Sequence, residues 1–314
     1  MKKKSRKRGI RMAALTTLLL CLCGCAVQPA EPCAGICYKI SGGKNEMFLL
    51  GSIHVGNQDM SVFGSSIRQA MENADVFVFE CDTQSREARR VIQEMTQAQT
   101  PLKEAISPSA YALAEQAAKR LGLPMSRLDG LRPWAVASQL SGNTAAAELG
   151  VDNANVALSL GVEETVRKAV GNRTTAYLET PEEQLRVLDS FSPALQEEML
   201  TSVCRQLIDP QPTSLKSWPE WWRLGDAEAF ATAYQKENQL SDPELTEEYH
   251  QGLVTRRNQT MAERLKAMLE GDEPHNYFVT VGLLHLVLEE DSLPSLLREA
   301  GYNVERVTQA LPEK

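Results

Sequence analysis

The sequence predicts an α/β fold: a mixed, largely parallel sheet covered by helices, with a large helical insertion. Three observations predict it. Strand-like runs, most of them largely apolar, gather near the two ends of the chain, as strands covered on both faces do. Helical patterns fill most of residues 83–270 between them. Finally, Gly51-Ser52-Ile53-His54 and Gly282-Leu283-Leu284-His285 repeat one pattern, a Gly-x-x-His that closes an apolar run, in distant parts of the chain.

The N-terminus reads as an address. Lys2, Lys3, Lys4, Arg6, Lys7, Arg8 and Arg11 precede the apolar run Met12–Leu22. That run is shorter than the roughly 20 residues of a spanning helix. It ends at Leu22-Cys23-Gly24-Cys25, which resembles a bacterial lipobox. Residues 1–24 are therefore expected to leave as a lipoprotein signal peptide, and Cys25 to carry a lipid. The protein would then be anchored to the bacterial cell envelope on its extracytoplasmic side, not spanning it. Without residues 1–24, 26 Lys+Arg face 41 Asp+Glu, a formal charge of −15. Such a surface repels phosphate backbones, so no nucleic-acid partner is expected.

Residues 25–37 read as a tether with Pro29, Pro32 and Gly35. Cys33 and Cys37 are close enough in sequence for a small-loop disulfide outside the membrane, and equally could stay as thiols. Cys81 and Cys204 sit in apolar and helical runs and read as buried, inert thiols.

Residues 38–314 read as one domain. Strands are expected at Tyr38–Ile40, Met47–Val55, Val76–Asp82, Thr175–Thr180, Tyr277–Leu286 and Tyr302–Val307, with Ser41–Asn45 as a hairpin turn. Helices are expected at Ser61–Asn73 and Thr83–Thr100. Pro108–Leu121 follows a Ser107 cap, and Pro133–Leu149 starts with proline in its first turn. Val151–Val170 is Ala- and Val-rich. Pro181–Leu188 opens with Thr180 and Glu183 as a capping box. Ser192–Leu207, Asp226–Gln239 and a long Pro243–Leu269 complete the set.

Four strand ends carry acid–base or metal-capable side chains: His54, Glu80, Glu179 and His285. Parallel strands bring such ends to one edge of the sheet, where ligands bind. Two imidazoles and one or two carboxylates can hold Zn, Mn, Co or Fe with positions left open for water. A bound ion would lower the pKa of that water, and a carboxylate could act as general base. The bland alternative is a pair of satisfied core histidines and incidental strand-end charges. Arg256-Arg257-Asn258, on the last long helix, reads either as a solvated face or as an arginine that reaches substrate. Trp218, Trp221 and Trp222 read as a packed corner or a substrate shelf. His250 and His275 lie in polar contexts. No Gly-rich phosphate loop, HExxH or Gly-x-Ser-x-Gly occurs, so nucleotide, zincin and serine-hydrolase readings lack support.

The motifs together resemble the TraB/GumN family, which includes the Tiki proteases and the pheromone-shutdown proteins. The likeness runs through Phe48–Gly56, Ala74–Glu80, Leu131–Trp134, Glu148–Asp152, Leu178–Gln184, Trp222–Asp226, Arg257-Asn258, Val281–His285 and Gly301–Val304. It implies an erythromycin-esterase/ChaN-like fold and a metal-dependent peptidase. Carried over, the resemblance makes His54, Glu80, Arg257 and His285 catalytic. His54, His285 and Glu80 would hold a divalent Mn, Co or Zn ion, with Glu179 as a further or outer carboxylate. Arg257 and Asn258 would bind a peptide or small-molecule substrate. Two other readings stay open: a metal-independent, esterase-like hydrolase, and a non-catalytic protein that sequesters a peptide signal. The sequence departs from the family at Cys37, where relatives often carry Trp. It departs again at Leu284, where a small residue often precedes the histidine; Leu284 is expected to narrow the pocket beside His285.

Overall fold

A computed structural model describes residues 32–240, 242–288 and 291–308. The signal peptide, the lipidation site Cys25 and residues 25–31 of the tether lie outside them. Six strands form one sheet: β1 (Cys37–Ser41), β2 (Glu46–Ser52), β3 (Val76–Phe79), β4 (Thr174–Tyr177), β5 (Asn276–Gly282) and β6 (Asn303–Arg306). Their order is β4-β3-β5-β2-β1-β6. The first four in that order are parallel, and β1 runs antiparallel to both β2 and β6. The sheet is therefore mixed and largely parallel, as the apolar strands imply.

Burial explains the strand sequences. Every residue of β3 (Val76-Phe77-Val78-Phe79) is buried, as is Phe278-Val279-Thr280-Val281 in β5, because helices cover both faces. β4 and β6 lie at the edges and read as mixtures of polar and apolar residues. Phe77 packs on Phe278 with ring centroids 5.6 Å apart, which ties β3 to β5 across some 200 residues of intervening chain.

The insertion is not a single body. β4 interrupts it, so residues 83–270 make two helical excursions, one between β3 and β4 and one between β4 and β5. Helices from both excursions, Pro108–Arg120, Pro133–Leu149 and Pro193–Ile208, build a second core around Ala110, Ala114, Ala117, Val136, Leu140, Leu200 and Cys204. Small alanines let these helices approach closely and bury a surface separate from the sheet. Among the described residues no helix is long and apolar enough to cross a membrane.

Two expectations change, and one alternative left open is decided. The chain enters the core before residue 38: Cys33 and Ile36 are fully buried, and Ala34 N–H and Gly35 N–H donate to the Arg223 and Trp222 carbonyls. Residues 33–37 are thus wall, not tether. Cys33 and Cys37 are free thiols, not a disulfide. Cys33 Sγ–H donates to the Asp59 carbonyl (3.0 Å), while Cys37 is fixed in register opposite Leu50. Burial pushes the two thiols up to about 11 and about 12, which keeps them protonated. Finally, the expected Val151–Val170 helix breaks into Ala154–Ser159 and Val162–Val170.

That break has a steric cause. A Cβ at Gly161 would stand 2.4 Å from the His54 carbonyl oxygen, and the next residue's N–H (Val162) donates to the Ile53 carbonyl (2.9 Å). The helix starts where the backbone carrying His54 passes over it. Gly161→Ala is expected to destabilise the protein by about 1–3 kcal/mol through overpacking. It should also displace His54, and urea unfolding together with the His54 NMR signals checks both.

Candidate active site

The parallel strands end at one edge of the sheet. Across it, in strand order, stand Glu179 after β4, Glu80 after β3, His285 after β5 and His54 after β2. Topology thus brings together four residues that the sequence separates by up to 231 positions.

Glu80 and Glu179 are nearly inaccessible, and a buried carboxylate must be paired. Arg257 pairs with both. Its Nη2–H donates to Glu80 Oε2 and Glu179 Oε2, each at 2.6 Å, and its Nε–H to Glu179 Oε1 at 3.0 Å. Gln184 Nε2 donates to Glu80 Oε2 at 2.9 Å, and the Gly282 N–H donates to Glu80 Oε1. Burial alone would raise the pKa of Glu80. Arg257 above all, then His285, His54 and the Gly282 amide, overcome it and hold the carboxyl at about 2.

Two local features aim these donors. The long expected helix Pro243–Leu269 is interrupted by a π turn, Gln251–Thr255, directly before Arg257 and Asn258. Such a turn re-phases the helix, and it is a frequent mark of functional positions. Thr180 and Glu183 form the expected capping box, which fixes the first turn of the Pro181–Asp189 helix and so places Gln184 over Glu80.

The two motif histidines have different surroundings. β5 passes at once into a helical turn, Leu284–Val287, which carries His285 back inward, so that its side chain is only 5% exposed. Asn258 Nδ2 donates to the Asp291 carbonyl (2.6 Å), which can only accept. Asn258 Oδ1 therefore faces His285 Nδ1 at 2.6 Å and accepts its proton. The ring is left with a bare Nε2 lone pair, 3.7 Å from Glu80 Oε1. Burial lowers the His285 pKa to about 4, so the imidazole is neutral near pH 7.

His54 is the opposite. Its side chain is 62% exposed, and Nδ1 lies 3.4 Å from Glu163, whose hydrogen bond raises the imidazole pKa. Glu163 in turn accepts from Arg167 at 2.6 Å, and the Arg167 guanidinium lies 4.0 Å above the Phe79 ring.

His54, Glu80 and Gln184 form a shared wall between two cavities. One, of about 490 Å³, is lined mainly by apolar groups including Leu185, Leu188, Trp218, Phe230 and Leu253. The other, of about 440 Å³, carries Glu163, Glu164, Thr83 and Cys81. The Cys81 thiol bonds Gln184 Oε1 and burial pushes it up to about 12, so it is no nucleophile.

Several expected roles move. Arg257 spends its charge on two carboxylates, with Nη1 donating to the Leu253 carbonyl at 3.3 Å. Asn258 is fully buried and orients His285 instead of meeting substrate. Glu179 pairs with Arg257 and lines a different cavity from those that the two histidines line. Among the described residues no group of three or more His, Cys, Asp or Glu side chains stands close enough to hold a metal ion together. Two of the expected donors converge, His285 Nε2 and Glu80 Oε1; His54 and Glu179 do not join them. Trp218 lines the apolar cavity while Trp222 is buried, so the tryptophan corner is both packed and partly a wall. His250 and His275 stay outside the site, beside Tyr234 and Glu273.

Sequence reasoning missed Gln184, Glu163, Arg167 and Asp291 as partners of the site residues. Gln184 alone had a usable signal, in the capped first turn after the Glu179 strand end.

Comparison with known proteins finds relatives over most of the chain. The model of the TraB/PrgY/gumN family matches residues 36–306. YbaP of Escherichia coli K12 is 24% identical over 264 residues, which cover 82% of this chain and 89% of YbaP. YbaP of Shigella flexneri matches with the same identity and coverage. No solved structure gives a significant match.

Two outcomes follow from the electrostatics. Arg257→Ala strands two buried carboxylates and is expected to cost about 3–5 kcal/mol, read by urea unfolding; adding Glu179→Gln should recover part of it. Stability should also fall with pH. Between the ordinary histidine value of about 6.5 and the folded value near 4, the unfolded chain binds the extra proton at His285, so folding weakens as pH drops through that window. Glu80 extends the loss from about 4.3 down toward 2. His285→Asn should flatten the upper part of the curve only.

Proposed function

The chain belongs to the TraB/PrgY/gumN family, and from that premise we propose that it is a hydrolase centred on Glu80 and His285, using a divalent ion to cleave a peptide. The observation that carries this reading is the 3.7 Å approach of His285 Nε2 to Glu80 Oε1. Two buried acceptor atoms face each other, and no protein donor reaches Nε2 among the described residues. That opposition is unfavourable unless a cation or a water proton lies between them.

The donor chemistry suits a divalent ion. Bonds of about 2.1 Å to a common ion allow two donor atoms to stand as much as about 4 Å apart. Glu80 and Glu179 carry two negative charges against one on Arg257, so the cluster has charge to spare for a cation. Asn258 behind His285 is the outer partner that such a ligand ordinarily needs. His285 and Glu80 would hold the ion, and His54 would join only by leaving Glu163. A bound ion would make its water a nucleophile near neutral pH and polarise the scissile carbonyl.

The chain's own groups do the rest. Neutral His285 offers one Nε2 lone pair, which holds the ion when one is bound and accepts a water proton only when none is. Arg257, Gln184 and the Gly282 amide fix the Glu80 carboxylate, so it needs no reorganisation during the reaction. The apolar cavity takes a large apolar side chain, and the second cavity takes the chain beyond the reacting bond. A substrate that fills both extends past Glu80 in two directions, as a peptide does. A lipid on Cys25 would hold this centre at the extracytoplasmic face of the envelope.

The test is metal analysis of the purified chain alongside cleavage of a mixed peptide library. One tightly held divalent ion per chain, lost in His285→Ala together with cleavage, is the expected result. Cleavage that survives chelation but not His285→Ala would replace the ion by His285 acting alone as base. A peptide recovered intact from a tight complex would make the protein a sequestering one.

A further inference from the structure

Ser52 stands at the end of β2 inside the first Gly-x-x-His motif, and nothing above uses its side chain. It is 3% exposed, and its hydroxyl has no hydrogen-bond partner. A buried hydroxyl left unpaired costs about 1–3 kcal/mol, so a fold that keeps one has a reason to be sought.

Its position supplies the reason. In the parallel pairing of β2 with β5, Ser52 is level with Gly282. Residues level with each other on neighbouring strands point to the same face, and the strands are about 4.8 Å apart. A Cβ placed at Gly282 would stand 2.9 Å from Glu80 Oε1 and 3.9 Å from His285 Nε2. Gly282 therefore leaves open the volume beside the reacting pair, and Ser52 borders that volume from the adjacent strand. Ser52, Glu80, Gly282 and His285 all line the same cavity.

The hydrogen-bonding capacities fit together. Glu80 Oε1 and His285 Nε2 can only accept. The donors near them are already committed: Arg257, Gln184 and the Gly282 amide all serve Glu80. A water between the pair gives its protons to the two acceptors and keeps oxygen lone pairs that these committed donors do not meet.

We infer that the Ser52 hydroxyl donates to the oxygen of the water held at Glu80 and His285, and so is the water-positioning residue of the site. That water belongs to the ion-free site; with an ion at Glu80 and His285, the hydroxyl would meet the ion's own water instead, and only this consequence for turnover rests on the hydrolase reading. Thr280 offers the competing explanation. Its hydroxyl is also buried and unpartnered, and it lies on the Gly282 side of β5 one repeat deeper. A structural water bridging Ser52 and Thr280 would satisfy both hydroxyls with no role in chemistry.

The full-length, metal-free protein with labelled histidine separates the two. The nitrogen shift of His285 Nε2 reports whether a donor reaches it. In the wild type it should sit at the hydrogen-bonded position. Ser52→Ala should move it toward the free value and leave the Nδ1 proton unchanged, with little change in thermal stability, because a hydrogen bond to one exchangeable water contributes little to folding. Thr280→Val should move neither nitrogen. On a cleaved peptide, Ser52→Ala should lower kcat/KM roughly ten- to hundredfold, since a misplaced nucleophile costs about that much. Thr280→Val should not. An Nε2 signal that ignores Ser52→Ala overturns the inference, as does an equal loss of stability in both variants, which is the mark of a bridging structural water. If the Nε2 response is present but the wild type cleaves nothing, the hydrolase reading fails and the water site stands.

Discussion

The pairing of Arg257 with Glu80 and Glu179 is the interaction on which the site depends. Two carboxylates at adjacent strand ends, both almost out of reach of water, would repel each other and the interior. One guanidinium with a planar fork of donors answers both, which a lysine could not do in the same geometry. The pair leaves one uncompensated negative charge and one free face on Glu80, toward His285. The open edge of the site is thus defined by what Arg257 does not cover. The arginine is held by a π turn in its own helix, so a local irregularity in one excursion sets the charge balance at the end of β3.

Much of this was legible in the chain. Continuous apolar stretches such as Val76–Phe79 read as strands covered twice, and the Thr180–Glu183 capping box fell where expected. The convergence of Glu80 and His285 followed from parallel strands sharing an edge. Strand order did not follow. β5 lies between β2 and β3 through pairing of residues some 200 positions apart, and no local pattern encodes that. The roles of Arg257 and Asn258 were also out of reach. Their residue types suit a substrate carboxylate as well as a structural clamp, and only burial decides between the two.

The repeated Gly-x-x-His invites a symmetric reading that the fold does not honour. The same four-residue pattern ends two neighbouring parallel strands, yet one histidine is buried and neutral while the other lies on the rim beside Glu163. The cause is what comes next. After β5 the chain coils immediately and folds its histidine inward; after β2 it runs over Gly161 into a loop, and its histidine points out. Sequence likeness fixed where each histidine sits along its strand, and the following residues fixed its chemistry.

The two glycines of the motifs also differ in purpose. A Cβ at Gly51 would strike Leu283 and Leu286, so its role is to let the turn after β5 pack onto β2. A Cβ at Gly282 would strike Glu80, so its role is to leave room and an amide for the carboxylate. One glycine serves packing and the other serves the site. The unpaired hydroxyl of Ser52 lies on the second side of this division, level with Gly282 and open to the same small volume. Folding stability gains nothing from that hydroxyl as it stands. A hydroxyl that the folded chain leaves unpaired, beside a histidine nitrogen that no protein donor reaches and a carboxylate oxygen with capacity left, is arranged for a molecule that arrives from solvent.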